Sequence, residues 1–319
     1  MVGYKSKVYK YIIKPLGHMR MSEVRPDDIQ IALIPVLKLS ESVYHTTYML
    51  YQMIFGSAVD NDIISVSPCK RISPKGGIPP KPKEALTDEQ VRKLLEATKG
   101  HQSYVFVMIG LYSGLRREEI LALKWDCVFL DEDSPYLSVQ RSWVTPGNGK
   151  GIISDLLKTD SARRNVPIPF LLVECLKEKK KNSKSDFVIS NKEGNQLSYT
   201  QYQRLWKYIE TRTAGKASYV RYDKSGNRTV HTFDRVLGET AAHNGNVVYS
   251  LDFHVTPHQL RHTYITNLIN ASVDPKTVQY LAGHKNSKIT MDVYAKVKYN
   301  RPEQLISIVN SAFNNDKPN

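Results

Sequence analysis

The chain has 319 residues, more than one typical domain, and its 45 Lys and Arg against 31 Asp and Glu give a formal net charge of +14. Three cysteines, Cys69, Cys127 and Cys175, show neither metal-ligand spacing nor even pairing, which argues against a disulfide-built secreted scaffold and for a reducing, cytoplasmic setting. No signal peptide is expected and no apolar run is long enough to span a membrane, while basic residues spread along the chain suit a polyanionic partner without choosing DNA over RNA.

The first 74 residues read as a small helical unit. Its best helix runs from about Ser42 to Ala58, with Tyr48, Tyr51, Gln52 and Phe55 spaced to serve one face and Asp60-Asn61-Asp62 as the exit turn. From Ser73 to Lys83, four prolines and two glycines exclude a helix and favour an extended linker, set at residues 75–84. Residues 85–319 then form the larger unit. Leu86-Thr87-Asp88-Glu89-Gln90 caps its first helix. An apolar helix with Val105, Met108, Ile109 and Tyr112 is broken by Ser113-Gly114, and the next helix opens with Arg116 in its first turn. That arginine either meets an anion at a helix amino terminus or pairs at the surface with Glu118 or Glu119. Lys158 falls at or near a hairpin tip between the strand-like runs 151–157 and 165–168, where a lysine is usually just solvated. After a helix near 202–211 come roughly forty residues without a helical pattern, in which 219–222 and 228–231 flank the turn Asp223-Lys224-Ser225-Gly226-Asn227 as a β-hairpin.

The next helix has a complete start signal, with Thr256 as N-cap, Pro257 first and Gln259 third. His258 and Arg261 lean to one side near its amino terminus, and Leu260, Tyr264 and Leu268 face the core. Asp274-Pro275 opens a second helix and Gly283 closes it as a left-handed cap, projecting His284; Ser287 caps a third helix with Ile289, Val293 and Tyr294. His258 and His262 have the spacing of helical zinc ligands but lack the accompanying Glu or a cysteine pair, so packed histidines are the stronger alternative. Tyr294 alone is one tyrosine among nineteen. Beyond it, Leu305, Ile306, Ile308, Val309 and Phe313 put an apolar stripe on a helix around 302–313.

Taken in order, Gly114-Leu115-Arg116 with Glu119-Ile120, Lys158-Thr159 with Ser161 and Arg163-Arg164, His258-Gln259-Leu260-Arg261-His262-Thr263, Leu281-Ala282-Gly283-His284 and Tyr294 match a known motif series. The chain resembles the tyrosine recombinases of the phage-integrase family, in flavour the integrases of conjugative transposons and temperate phages. More loosely, Pro15-Leu16-Gly17-His18, Ile29-Gln30, Ile64 and Ser67-Pro68 follow the family's core-binding domain. The resemblance implies a mainly α fold with a small antiparallel β-sheet. A helical, SAM-like core-binding domain over 1–74 and an α+β catalytic domain over 85–319 would form a C-shaped clamp around DNA. The hairpin region, around 215–255, departs from a minimal catalytic domain of this kind and reads as an insertion beside the active site that contacts DNA or gates strand exchange, against a merely solvated segment. The helix around 302–313 would dock on a neighbouring protomer. Relatives in mobile elements often carry a further domain for arm-type sites ahead of the core-binding pattern, which here begins almost at once.

The implied activity is site-specific recombination for a mobile genetic element, with double-stranded DNA cleaved and rejoined through a 3′-phosphotyrosyl intermediate. Tyr294 would be the nucleophile, Arg116 and Arg261 the phosphate clamp, His284 a further donor, His258 the group that assists proton removal and Lys158 the general acid. Glu119 and His262 would support these residues from behind. Lys5, Lys7, Lys10, Arg163, Arg164, Arg221 and Lys224 are candidate DNA contacts. The resemblance implies no metal and no cofactor, a homo-oligomer with a dimer on each site and a tetrameric synapse, an accessory protein that directs excision, and a place at the bacterial nucleoid. A type IB topoisomerase-like nicking enzyme and a non-catalytic DNA-binding repressor are the alternatives.

Overall fold

The computed structural model describes residues 2–80, 84–131, 133–145, 151–155, 163–223, 225–242 and 244–299. Backbone packing divides the chain at the proline-rich stretch into two units, Met1–Lys83 and Glu84–Asn319.

In the first unit, helix α1 (Val2–Val8) continues through a π-helical turn (Tyr9–Ile13) and a short helical turn (Lys14–Leu16). Pro26 opens α2 (Pro26–Leu37), where the Asp28 carboxylate accepts from the Arg25 amide at 2.9 Å. Helix α3 (Glu41–Asp60) contains the expected 42–58 helix and buries Tyr44, Thr47, Tyr51, Phe55 and Ala58 against Ile12, Ile29, Leu33 and Val36. Gln52 departs from the expected face: it is exposed, and its amide donates to the Tyr48 hydroxyl at 2.6 Å. The Tyr51 hydroxyl instead reaches across the core to the Tyr11 carbonyl at 2.6 Å. The stretch read as linker begins as part of this unit. Ile78 donates to the Leu39 carbonyl at 2.7 Å and accepts from the Glu41 amide at 2.8 Å, while Tyr44 donates to the Ser73 carbonyl at 3.1 Å. Extended backbone with free polar groups is held by pairing with the nearest open chain, whatever its proline content.

The second unit begins with α4 (Asp88–Thr98), whose Thr87–Gln90 capping box closes at 3.0 and 3.2 Å. Helix α5 (Gln102–Ser113) is buried along nearly its whole length and forms the centre of the core. Gly110 on α5 lets Leu260 approach closely, since a Cβ there would lie 2.8 Å from Leu260 Cδ1. Helix α6 (Arg117–Ala122) follows. Strands β1 (Val128–Phe129), β2 (Tyr136–Val139) and β5 (Arg164–Pro167) form an antiparallel sheet in the order β1-β2-β5, and β3 (Ser142–Val144) pairs separately with β4 (Ile152–Ser154). Among the described residues, the two runs flanking Lys158 do not pair with each other as a simple hairpin, since 152–154 and 164–167 lie in different sheets; residues 156–162, Lys158 among them, are outside the described residues. Alternation alone marks both runs as strands but names no partner for either.

Helices α7 (Phe170–Lys181) and α8 (Tyr199–Glu210) pack on α5. The stretch before the final helices holds the hairpin β6 (Gly215–Tyr222) and β7 (Arg228–Arg235), then β8 (Thr240–Ala241) with β9 (Asn244–Val248), and no helix among the described residues. Three helices complete the unit: α9 (Pro257–Asn270), α10 (Pro275–Ala282) and α11 (Ser287–Tyr299). Asp274 caps α10 by accepting from the Lys276 and Thr277 amides at 3.0 Å, but Asn286 rather than Ser287 takes the equivalent role for α11, accepting from Lys288 at 2.9 Å. Ser and Asn are about equally good caps, so sequence does not separate neighbours of these types. The helix expected around 302–313 lies outside the described residues. Among the described residues no helix is long and apolar enough to cross a membrane.

Candidate active site

Two glycine-ended helices bring the site together. Gly114 ends α5 and Gly283 ends α10, both in the left-handed region at φ 61°. Each turn exposes carbonyl oxygens that would otherwise lack partners, and each is bound by an arginine from elsewhere in the chain. Arg261, on the first turns of α9, donates to the Gly114 carbonyl at 2.7 Å and also to the Ala282 carbonyl. Arg116, just after the Gly114 turn, donates to the Gly283 carbonyl at 2.5 Å. Residues more than 140 positions apart are thus locked together by the two guanidinium groups expected to hold a phosphate.

Glu119 lies beneath them and is only 4% exposed. Its carboxylate accepts from the Arg116 amide at 2.8 Å and Arg116 Nη1 at 2.7 Å, and from Arg164 Nη1 and Nη2 at 3.2 and 2.9 Å. Burial pushes this carboxyl up, but the charge and hydrogen bonds of Arg164, with the charges of Arg116 and Arg261, overcome it and leave a pKa of about 2. Arg164 also donates to the Leu281 carbonyl at 2.7 Å, and its side chain is wholly buried. Its expected place among the DNA contacts is therefore corrected. Its guanidinium lies beneath the cluster rather than on the surface, bonded to Glu119 and to the end of α10 and against the Gly283 turn. Burial, then repulsion by Arg116, lowers Arg261 to about 9, still charged at neutral pH.

Three guanidinium groups facing one carboxylate leave an excess of two positive charges at this cluster. An anion is the complementary charge, and two of the arginines sit beside helix amino termini that also favour one.

His284 follows the Gly283 turn directly. Its carbonyl accepts from Gln279 Nε2 at 3.1 Å, and its Nδ1 lies 2.9 Å from the hydroxyl of Thr290, which is buried. Desolvation first, then the charges of Arg261, Arg116, Arg164 and His258, bring the ring's pKa down to about 4. The ring is neutral at pH 7. The Thr290 hydroxyl can donate to Nδ1 or accept from it, so this contact fixes the ring's orientation and serves either neutral tautomer. Thr290 and Gln279 carry no sequence signal, because a supporting hydroxyl or amide is defined only by where the chain folds. His258 is exposed at the start of α9, and His262, one turn on, is half-buried. Among the described residues no group of three or more His, Cys, Asp or Glu is placed to hold a metal ion.

Tyr294, on α11, is half-buried and packs beside the main core; its hydroxyl donates to the Val273 carbonyl in the turn before α10. Burial, then the Asp274 charge, raises its pKa. In the first unit Lys5 and Lys10 are exposed and Lys7 is half-buried. Arg163 is exposed and donates to the Asp155 carbonyl at 3.2 Å, Arg221 is exposed on β6, and Lys224 is outside the described residues.

The phage integrase family model matches this chain over residues 84–233 and 213–301. A "Tyrosine recombinase XerC-like" protein of Caldanaerobacter subterraneus subsp. tengcongensis is 28% identical over 273 residues, which is 81% of this chain and 63% of that protein. The "Transposase from transposon Tn916" of Enterococcus faecalis is 27% identical over 232 residues, 68% of this chain and 49% of the relative. The chain thus spans about half to two thirds of the length of these curated relatives. In fold it is similar to a Tn1549 transposon integrase fragment solved in complex with a circular intermediate DNA, with a TM-score of 0.70, 20% identity, and coverage of 95% of this chain and 92% of the other.

Proposed function

Because this chain belongs to the phage integrase family, we propose that it is a tyrosine site-specific recombinase that cleaves and rejoins DNA strands for a mobile genetic element. The observation that carries this reading is the joining of Arg116, Arg261 and the Gly283–His284 turn around the buried Glu119–Arg164 pair. Two guanidinium groups, charged at neutral pH and held on the same pair of glycine turns, would favour the five-coordinate phosphorane-like transition state, in which charge on the non-bridging oxygens is greatest.

In the proposed reaction the Tyr294 oxygen attacks a scissile phosphorus. The bond to the 5′ oxygen breaks, and a 3′-phosphotyrosyl ester forms. The phenolic proton passes to His258, the exposed histidine at the start of α9. Lys158 supplies a proton to the departing 5′ oxygen. His284, neutral at pH 7, takes the Nε2–H tautomer with Thr290 donating to Nδ1 and adds a hydrogen bond to a phosphate oxygen without adding charge. Before attack, Tyr294 must give up its hydrogen bond to Val273, since a hydroxyl committed to a carbonyl cannot pass its proton to a base. Attack by a 5′ hydroxyl of another strand reverses these steps and completes strand exchange. The energy of the broken diester is conserved in the phosphotyrosyl bond.

On this reading, residues 1–74 bind the core of the site with Lys5, Lys7 and Lys10, and Arg163 contacts the backbone near the scissile step. The protein works as a dimer on each site and a tetramer in synapsis, at the bacterial nucleoid, with an accessory protein directing excision. The apolar stripe of residues 302–313 is the segment exchanged between protomers.

The test is a nicked suicide duplex containing a candidate site. The expected result is a covalent protein–DNA adduct that resists denaturation and is abolished, by at least about a thousandfold, in Tyr294→Phe. Tight binding to cognate DNA with no adduct from the parent protein would instead favour the repressor alternative.

A further inference from the structure

The β6–β7 hairpin leaves the second unit as a projecting ribbon on a fixed base. Its ends are pinned where Ala214 donates to the Leu251 carbonyl at 2.7 Å and Leu251 donates to the Arg212 carbonyl at 3.0 Å; Leu251 is fully buried. Arg212 adds a hydrogen bond to the Tyr208 carbonyl at 2.9 Å, and Arg235, at the end of β7, donates to the Glu210 carbonyl at 3.2 Å. Beyond this base almost every position of both strands is exposed. Eight paired residues at about 3.3 Å each make a ribbon on the order of 25 Å long.

The distal half has a defined chemistry. Residues 218–230 hold three cationic side chains, Arg221, Lys224 and Arg228, and one carboxylate, Asp223. That carboxylate is committed to the turn, accepting from the Ser225 and Asn227 amides at 2.8 Å and from Asn227 Nδ2 at 2.9 Å. Register puts Arg221 opposite Thr229 on one face, where its guanidinium lies 5.4 Å from the Tyr219 ring and Tyr219 stacks on His231 at 5.1 Å. The other face carries Tyr222, 68% exposed, directly opposite Arg228. Val220 and Val230 lie opposite each other on this second face beside Tyr222 and Arg228, a small group of three apolar side chains bordered by a cation, while Lys216 at the proximal end faces Asp234.

We infer that the distal hairpin is a duplex-DNA contact, with Arg221 and Arg228 on backbone phosphates and the more exposed Tyr222 ring, on the Arg228 face, against sugar and base edges. A two-stranded ribbon fits the major groove, about 12 Å wide, and basic residues with interleaved aromatics complement its phosphate walls. The inference rests on the proposed action on duplex DNA and adds a binding surface to it. The Asp223 carboxylate bonds at one end and the pinned base at the other hold Arg221 and Arg228 in place, which lowers the ordering cost on binding.

Its test is the salt dependence of binding to a labelled mixed-sequence duplex. For Arg221→Ala/Arg228→Ala the slope of log association constant against log salt is expected to shrink by about 1.8, about 0.9 for each phosphate that is no longer neutralised. Arg221→Lys/Arg228→Lys is expected to retain most of the slope. An unchanged slope in the alanine variant overturns the inference, as does an equal loss in the lysine variant, which would trace the effect to hairpin unfolding. A change in sedimentation of the alanine variant with its slope intact also overturns it, in favour of a protein-docking surface. A Tyr294-dependent adduct with an unaltered slope removes the hairpin contact alone. A reduced slope without an adduct from the parent protein keeps the contact and removes the recombinase reading.

Discussion

Glu119 illustrates how far one residue's role depends on its surroundings. From sequence it reads as a surface partner for Arg116 or as support behind the site; in the fold it is the anion that lets three arginines converge. Replacing it by Gln removes that charge while Arg116, Arg164 and Arg261 keep theirs, so the variant is expected to lose about 3–5 kcal/mol of stability, measured by urea unfolding. The pH dependence has a fixed sign. The carboxyl's folded pKa, about 2, lies below its ordinary 4.5, so the unfolded chain takes up a proton first as pH falls. The stabilisation is complete above about pH 4.5 and disappears as pH drops through about 2, a change of about 3 kcal/mol. Glu119→Gln should flatten the unfolding free energy over that window; equal acid sensitivity in the two proteins would assign the depression to other groups. Arg164 shows the converse. A basic residue beside a strand looks like a nucleic-acid contact, and only the sheet pairing and the α10 terminus reveal that it points inward.

Among the elements, helix ends are the most legible because they depend on local chemistry. Thr87–Gln90, Asp274–Pro275, Gly114 and Gly283 mark real boundaries and the turn 223–227 a real hairpin, while Thr256–Pro257 marks a helix start at which the Thr256 hydroxyl makes no cap bond and Gln259 donates to the Glu84 carbonyl at 2.9 Å instead. What depends on distant partners is hidden: the pairing of β4 with β3 and of β5 with β2, the docking of Ile78 on residues 39–41, and the support of His284 by Thr290. The two glycine turns combine both kinds of information. Their conformation is local, yet their carbonyls receive Arg261 and Arg116 from remote segments. Gly283→Ala adds a Cβ at φ 61° that would meet Arg164 Nη1 at 2.9 Å. The expected outcome is a loss of about 1–3 kcal/mol in stability and a larger proportional fall in adduct formation, because the strained turn moves the Arg116 acceptor and His284 together. A fall in melting temperature with adduct yield per folded molecule unchanged would separate the turn from the site.

At the scale of the molecule, the two units have separate cores, one around Tyr51, Phe55 and Ile29 and one around Phe106, Leu260 and Trp206. Both are basic: Lys and Arg outnumber Asp and Glu by 12 to 6 in residues 1–83 and by 33 to 25 in residues 84–319. The arginine–glutamate cluster, His284 and Tyr294 all belong to the second unit, and the hydrogen bonds described for them stay within it. Residues 84–319 produced alone are therefore expected to unfold in one cooperative transition and to retain the Tyr294-dependent adduct on a suicide duplex. Their binding should have a shallower salt slope than the full chain, because each phosphate that the first unit neutralises adds about 0.9 to it. A fragment with no cooperative transition would mean that the second core needs the first. A cooperative fragment with the full chain's slope would mean that the positive excess of residues 1–83 serves some purpose other than holding DNA, since charge that meets a phosphate cannot be removed without reducing counterion release.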